Sequence, residues 1–486
     1  MKIVFFLFSL FLTIQLWGQN ETDLYRFSRT TYNGSARFEA MGGSFGALGA
    51  DLSSSQINPA GYGRYSSSQF GMSIYGGATT NNSTFNNNTV KSTNGFGGLS
   101  NFAVVITEDV SKETTGKLYQ QFGFGMNRIE NFKNTICYSG QQYASLLDEF
   151  TAQAYGYEPQ FLNVDFPFSS SLAYESYAMN WDPSTSSYYS LLNAGDVIHD
   201  RTVSSKGGQT ELFISYSFNY LNKLYVGANI GFRYHNYEEN IDHTETLTDF
   251  SGTSMRSFNY TYDLKTNGWG KNLKIGAIYL FSESFRVGLA IHTPNFGKLT
   301  DEWTANMTTT FDDSIKTIPV DLIPTGDYKY RIRSPFRAVG SLAFVFGTHG
   351  CLNLDVEALD YRQAHFKTTN DANYAPYNYE AENRYADSVF KPALNIRLGG
   401  ELVIVSGIYL RGGVAYYGNA FKEAVDAEKS GDFIFSGGLG FKTKTFSADI
   451  AYKTRAMTKN YYAFADSFTK IASTTHQVIV SAALLF

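Results

Sequence analysis

The chain predicts an all-β fold: a fourteen-stranded antiparallel transmembrane β-barrel, with an N-terminal hatch segment inside its lumen and long extracellular loops that carry some helix. Three observations lead there. From about Glu211 to Phe486, segments of roughly ten residues alternate apolar with polar or small side chains. Their connectors are alternately very short and long, as between the periplasmic and outer ends of such barrels. Aromatic residues make up 16% of the chain, with 35 Tyr and 40 Phe, which suits girdles at both bilayer interfaces. A closed barrel is one of two ways for a backbone to cross a bilayer with all its polar groups paired.

The first element is a leader. Met1-Lys2, an apolar run from Ile3 to Leu12 and then Leu16-Trp17-Gly18-Gln19 read as a signal peptide over residues 1–18, cleaved after Gly18. No later stretch is long and apolar enough for a membrane helix. Export combined with a barrel implies the outer membrane of a Gram-negative cell.

Residues 19–65 do not alternate. They hold Ala40-Met41-Gly42-Gly43-Ser44-Phe45-Gly46 and then Asn58-Pro59-Ala60-Gly61. Small residues permit close backbone packing, and Asn-Pro followed by Gly marks tight turns. A barrel of this size has a lumen wider than its own side chains fill. The segment, which contains Gly42, Gly43, Asn58, Pro59 and Ala60, is therefore expected inside it as a hatch.

Residues 66–486 supply the wall. Strands are expected at about 66–78, 97–109, 119–130, 209–220, 224–238, 270–281, 284–293, 333–347, 350–362, 391–404, 407–418, 432–443, 445–456 and 473–486. Leu212, Ile214, Tyr216 and Phe218 share one face, and Phe213, Ser215, Ser217 and Asn219 the other. Arg233, Arg286, Arg397 and Arg411 sit mid-strand, opposite most of the large apolar residues. A soluble sandwich also alternates, but its strands centre near five or six residues. Short links such as Ser282–Glu283, Thr348–His349 and Val405–Ser406 fix the parity and put both termini in the periplasm. A strand-like piece at 255–266 is read as a hairpin arm above the membrane, and the Asn/Ser run at 80–88 as a solvated loop tip.

The longest extracellular loop, 131–208, is unusually apolar. Tyr143, Leu146, Leu147, Phe150 and Ala154 fall at helical spacing. Phe166, Phe168 and Trp181 follow. Such a loop either packs on itself or presents a surface that captures hydrophobic molecules or docks a partner protein. Leu146, Leu147, Phe150, Phe166, Phe168 and Trp181 are the candidate capture residues.

Other chemistries find no support. The formal net charge is −5, with no basic cluster for nucleic acid. Seven histidines are scattered without an HxxxH or HExxH pattern, so no metal ligands and no cofactor are assigned. His235 and His292 alternate onto the lumen face, where they read as hydrogen-bonded wall residues rather than heme ligands. The outward faces show no Ser-His-Asp/Asn trio, so no catalytic residues are assigned. Cys137 and Cys351 fall near opposite ends of the barrel, beyond the ~7 Å Cα spacing that a disulfide tolerates.

The stretch from Ala40-Met41-Gly42-Gly43 to Asn58-Pro59-Ala60-Gly61 resembles the N-terminal signature of the FadL/TodX long-chain fatty-acid transporter family, in its Bacteroidetes branch often labelled "hemin receptor". Further likeness lies in Gly288-Leu289-Ala290-Ile291-His292-Thr293-Pro294, Arg333-Ser334-Pro335-Phe336-Arg337 and Leu410–Gly418. The resemblance implies fourteen strands plugged by a hatch carrying Asn58, Pro59 and Ala60. It implies passive uptake of hydrophobic molecules such as fatty acids, released sideways into outer-membrane lipid through a gap in the wall. Gly123 and Gly125 on the third strand are candidates for a wall bend, since glycine in a strand often marks one. The same resemblance allows a rival role, a non-transporting barrel that anchors or shuttles secreted proteins in type IX secretion.

Overall fold

The computed structural model describes residues 19–112, 116–192, 197–422, 431–464 and 467–486; the expected signal peptide lies outside them. Fourteen strands build the wall. They are β1 (Gln69–Phe85), β2 (Asn88–Asp109), β3 (Lys117–Asn131), β4 (Val197–Tyr220), β5 (Leu224–Leu247), β6 (Met255–Leu280) and β7 (Phe285–His292). They continue as β8 (Arg337–Val345), β9 (Gly350–Asp360), β10 (Pro392–Val405), β11 (Ile408–Tyr417), β12 (Asp432–Lys442), β13 (Phe446–Phe464) and β14 (Ser467–Leu485). Each pairs antiparallel with the next. β1 pairs with β14 from Gln69↔Leu485 to Thr84↔Lys470, which closes the ring.

Side-chain alternation sorts the two faces. Every wall strand exposes large apolar residues outward, among them Ile74, Ile106, Phe124, Ile214, Ile230, Ile275, Leu289, Phe344, Leu352, Leu398, Leu410, Phe435, Ile450 and Val480. A belt running round all fourteen strands far exceeds the apolar patch a water-facing protein tolerates, so lipid is its solvent. The inner face carries Gln121, Asn127, Ser217, Lys274, Asn353, Asp355, Glu357, Arg397 and Gln477, all buried. They are buried because the bore is filled.

Residues 19–65 fill it. Helix α1 (Glu21–Ser28) starts from a capping box in which Asn20 accepts from Asp23 N and Asp23 accepts from Asn20 N. Helix α2 (Ala36–Ala40) starts at Ser35, whose hydroxyl accepts from Phe38 N. Short 3₁₀ turns at Ser54–Gln56 and Pro59–Arg64 lead into β1. Gln19 donates to Asp301 and accepts from Tyr379 on the long-loop side of the lumen, while Phe486 pairs with Ser68 at the short-turn end. The two ends of the described chain therefore do not lie together at the short-turn end, as the parity argument had them. The chain enters high in the bore and descends through it.

The wall rises past the belt on the long-loop side. The 255–266 piece is no separate hairpin arm: it is the upper half of the continuous strand β6, paired there with β5 and with Phe296–Phe311. The 80–88 run is no loose loop tip: β1 and β2 stay paired up to Phe85↔Asn88 and turn through Asn86 and Asn87, both at positive φ (43° and 66°). Pro294 and Pro335, which lack an N–H, separate β7 from Phe296–Phe311 and Thr325–Arg333 from β8.

The long loop folds into a cap. Helix α3 (Leu146–Gln153) packs Leu146, Leu147 and Phe150 against Ile241, Phe258, Tyr260 and Met307 of the risen strands. Cys137 and Cys351 are free.

Ile230 lies in the belt and is half exposed, so Ile230→Arg puts a guanidinium into lipid at ~2–4 kcal/mol near the midplane. We expect a lower denaturant midpoint and loss of the heat-modifiable folded band. Val320→Arg, on an exposed loop, leaves both unchanged. Equal effects of the two would overturn the face assignment.

Candidate functional site: a break in the wall and the segment that fills it

The ladder between β2 and β3 runs from Asp109↔Tyr119 up to Asn101↔Asn127 and stops. Above that pair, among the described residues, β2 pairs only with β1, and β3 only with β4. The strands part about eight residues above Asp109, roughly 26 Å along the strand at ~3.3 Å per residue. For strands tilted ~40°, that is the upper part of a ~25 Å apolar band. Two irregularities sit at this level. Ser100 is bulged out of the β1 register, and Ile129 out of the β4 register. The unpaired edge of β2 reads Gly95-Phe96-Gly97-Gly98-Leu99. Higher up, side-chain donors bridge the gap: Asn81 Nδ2 donates to Asn134 Oδ1 and Thr135 O at 2.7 Å each, and Ser92 Oγ to Thr135 O at 2.7 Å.

Backbone groups left open at this depth need partners. The hatch supplies them to two carbonyls of β3, Arg128 O and Ile129 O. Asn33 N donates to Arg128 O at 3.1 Å, and Asn33 Nδ2 to Ile129 O at 3.4 Å. Thr31 Oγ1 donates to Glu130 Oε2 at 2.9 Å. On the other lip, Ser100 Oγ donates to Gly34 O at 2.7 Å. Residues 31–34 thus lie across the break and bond to both of its edges.

Paired charges hold this segment from behind. Lys453 Nζ donates to Asn33 Oδ1 at 2.8 Å and to Glu39 Oε2 at 2.9 Å, while Glu39 Oε1 accepts from Gly34 N at 2.9 Å. Arg37 pairs with Glu401, which also holds Arg411, and Arg29 pairs with Asp432. Gln56 Nε2 donates to Asn33 O and Tyr417 Oη to Thr31 O.

Glycines of the wall receive the rest of the hatch. A Cβ on Gly276 would stand 2.0 Å from Asn58 Oδ1, and one on Gly413 2.2 Å from Gly42 N. Gly42 and Gly43 follow α2 at φ of +63° and +74°, a region that favours glycine. Asn58 caps the 3₁₀ turn through Ala60 N and donates to Gly46 O (2.7 Å) and to Ala277 O of the wall (3.1 Å). Pro59 O accepts from Ser217. Of the five expected hatch residues, Gly43 follows Gly42 in the turn after α2, Gly42 lies against β11, and Asn58, Pro59 and Ala60 lie against β4 to β6.

Gly123 and Gly125 fall within the regular part of the β2–β3 ladder. A Cβ on Gly123 would stand 2.3 Å from the Tyr62 ring, so this glycine makes room for the hatch. The break begins above them. Of the six expected capture residues, Leu146, Leu147 and Phe150 are buried in the cap core, and Phe166, Phe168 and Trp181 pack against it. The apolar side chains the cap exposes are others, among them Tyr155, Tyr157, Phe161 and Val164. His235 Nε2 meets Asn295, and His292 Nε2 meets Ile57 O, as expected of lumen wall residues.

Sequence reasoning missed Thr31, Asn33, Gly34, Ser100 and Lys453. The available signals were the turn-forming Asn33-Gly34 pair and the polar Ser100-Asn101 step inside a strand. Lys453→Met leaves Glu39 buried without that cation, a loss of ~3–5 kcal/mol when one partner of a buried pair is removed. Hydrogen exchange of the purified protein should quicken over residues 30–40, with β10 and β11 still protected. Unchanged exchange there would show that the pair does not hold the segment.

No protein-family model and no curated protein matches the chain. Solved structures do. A Pseudomonas aeruginosa FadL homologue aligns with 93% of this chain and 98% of its own at a TM-score of 0.55 and 11% identity. The Pseudomonas putida toluene transporter TodX aligns with 93% of this chain and 99% of its own at a TM-score of 0.50 and 13% identity. The closed, plugged fourteen-stranded barrel described above is therefore of the FadL/TodX type in its fold.

Proposed function

We propose that the protein is a passive outer-membrane channel for hydrophobic small molecules, with long-chain fatty acids as the substrate class. The observation that carries this reading is the break between β2 and β3, filled by hatch residues 31–34 rather than by a ladder. A continuous wall with an open bore would serve a polar solute. A wall interrupted at the depth of the acyl chains serves a molecule that ends in lipid. In this reading the short turns face the periplasm and the cap faces out. An apolar molecule passes under the cap to the hatch, residues 31–34 shift, and it leaves past the glycine-rich edge of β2 into the outer leaflet. Each Å² of apolar surface moved out of water contributes about 25 cal/mol, so no energy source is needed. The resemblance of the hatch signature supports fatty acids, and the name of TodX as a toluene transporter supports hydrophobic small molecules more broadly.

The rival role, docking of secreted proteins, draws on the exposed Tyr155, Tyr157, Phe161 and Val164 of the cap. Native pull-downs distinguish the two: stoichiometric protein partners favour docking, and co-purified lipid favours transport.

Proteoliposomes loaded with an acyl-CoA-forming trap should take up labelled oleate faster with the protein than without it. A variant carrying bulk at the break, Gly97→Trp/Gly98→Trp, should fall back towards the protein-free rate. Equal uptake with and without the protein would contradict the proposal.

A further inference from the structure

Strand pairing above the membrane belt assembles a cluster that the spacing of histidines along the chain does not show. His199 of β4 stands directly opposite Glu245 of β5. His243 precedes Glu245 by two residues and so shares its face. All three side chains are sealed from solvent. We propose that His199, His243 and Glu245 form a binding site for a divalent transition-metal ion of the zinc class.

The geometry suits such an ion. One ligand atom from each residue lies within 4.8 Å of the others. His199 Nδ1 is 3.5 Å from Glu245 Oε1, and His243 Nε2 is 2.8 Å from it. Ligands ~2.1 Å from a tetrahedral ion stand about 3.4 Å apart, so small side-chain rotations fit one in. Two imidazoles and one carboxylate select zinc-like ions over calcium and magnesium, which take oxygen.

A second observation points to a ligand. Neither ring nitrogen of His199 makes a hydrogen bond of good geometry, although the ring is wholly buried and the Ala144 backbone is close by. His243 Nδ1 is likewise unpaired. Buried polar atoms without partners are rare in folded proteins. The neighbouring guanidinium of Arg201 is engaged by Tyr461 Oη at 3.1 Å, and the Phe85 and Phe464 rings pack 5.8 Å from the His199 ring.

The site has a structural consequence. Glu245 also accepts from Ser145 Oγ and from Leu146 N at 2.8 Å, the first groups of α3. An ion held here ties β4, β5 and the cap helix at one point. This inference does not depend on what the barrel transports.

The test uses tag-free, full-length protein in detergent, stripped with chelator and titrated with Co²⁺ and Zn²⁺. We expect one equivalent of Co²⁺ with the visible absorption of a four- or five-coordinate site, displaced by Zn²⁺. His199→Phe should weaken binding by more than about 100-fold, beyond the 10–100-fold typical of outer-shell changes. If His199→Phe does not assemble as a heat-modifiable barrel, Glu245→Gln, which still accepts from Leu146 N, carries the same test. His476→Ala, away from the cluster, should bind as the parent does. Zn²⁺ should also slow proteolysis of the cap between Tyr155 and Val164 in the parent and not in the variants. No bound equivalent in the parent, or the same binding in the cluster variants, would overturn the site.

Discussion

The constraint on which the structure rests is that no backbone polar group can be left open in hydrocarbon. Closure of β1 on β14 meets it around almost the whole circumference. Between β2 and β3 the ladder ends at Asn101↔Asn127 while both strands run on. There the N-terminal segment takes over, with Asn33 and Thr31 bonded to one edge and Gly34 to the other. The hatch thus bonds to both edges of the break as well as filling the bore. A ladder is a cooperative array along two strands, whereas residues 31–34 are a short strap held across the break by a few bonds. This is why the break, rather than any paired part of the barrel, is where passage between lumen and lipid is proposed.

Close approach explains the glycine content of the inner face. Wall glycines at 276 and 413 stand where hatch backbone or a hatch side chain presses against the barrel, and a Cβ at either would collide with it. The charged residues of the lumen follow the same logic. Glu401 between Arg37 and Arg411, and Glu357 between Arg337 and Arg397, are ion pairs in a filled interior. Such pairs add little net stability against apolar packing but penalise a wrong seating strongly. Of these, Arg37–Glu401 sets the hatch against the wall.

Much of the fold was legible in the sequence because lipid imposes a strict two-residue period. All fourteen strands were placed from alternation and connector parity within the belt. Legibility ended where lipid ends. Above the belt both faces of a strand meet water or a cap, so the pattern relaxes, and the upper half of β6 looked like a separate arm. The apolar loop showed helical spacing at Leu146–Phe150, but its burial depends on Phe258, Tyr260 and Met307, distant in the chain. The break depends on which residues face each other across strands, as does the meeting of His199 with Glu245. Neither relation is written along one segment.

The account stands or falls on residues 31–34 having to move for cargo to leave. Thr31 and Glu130 touch across the break, at 2.9 Å between Oγ1 and Oε2. Thr31→Cys/Glu130→Cys, in a background with Cys137 and Cys351 replaced by Ser, allows the strap to be joined to β3 by a short cleavable crosslinker. The account predicts that fatty-acid uptake stops when the two are joined and returns when the link is cleaved. Full uptake by the joined protein would contradict it.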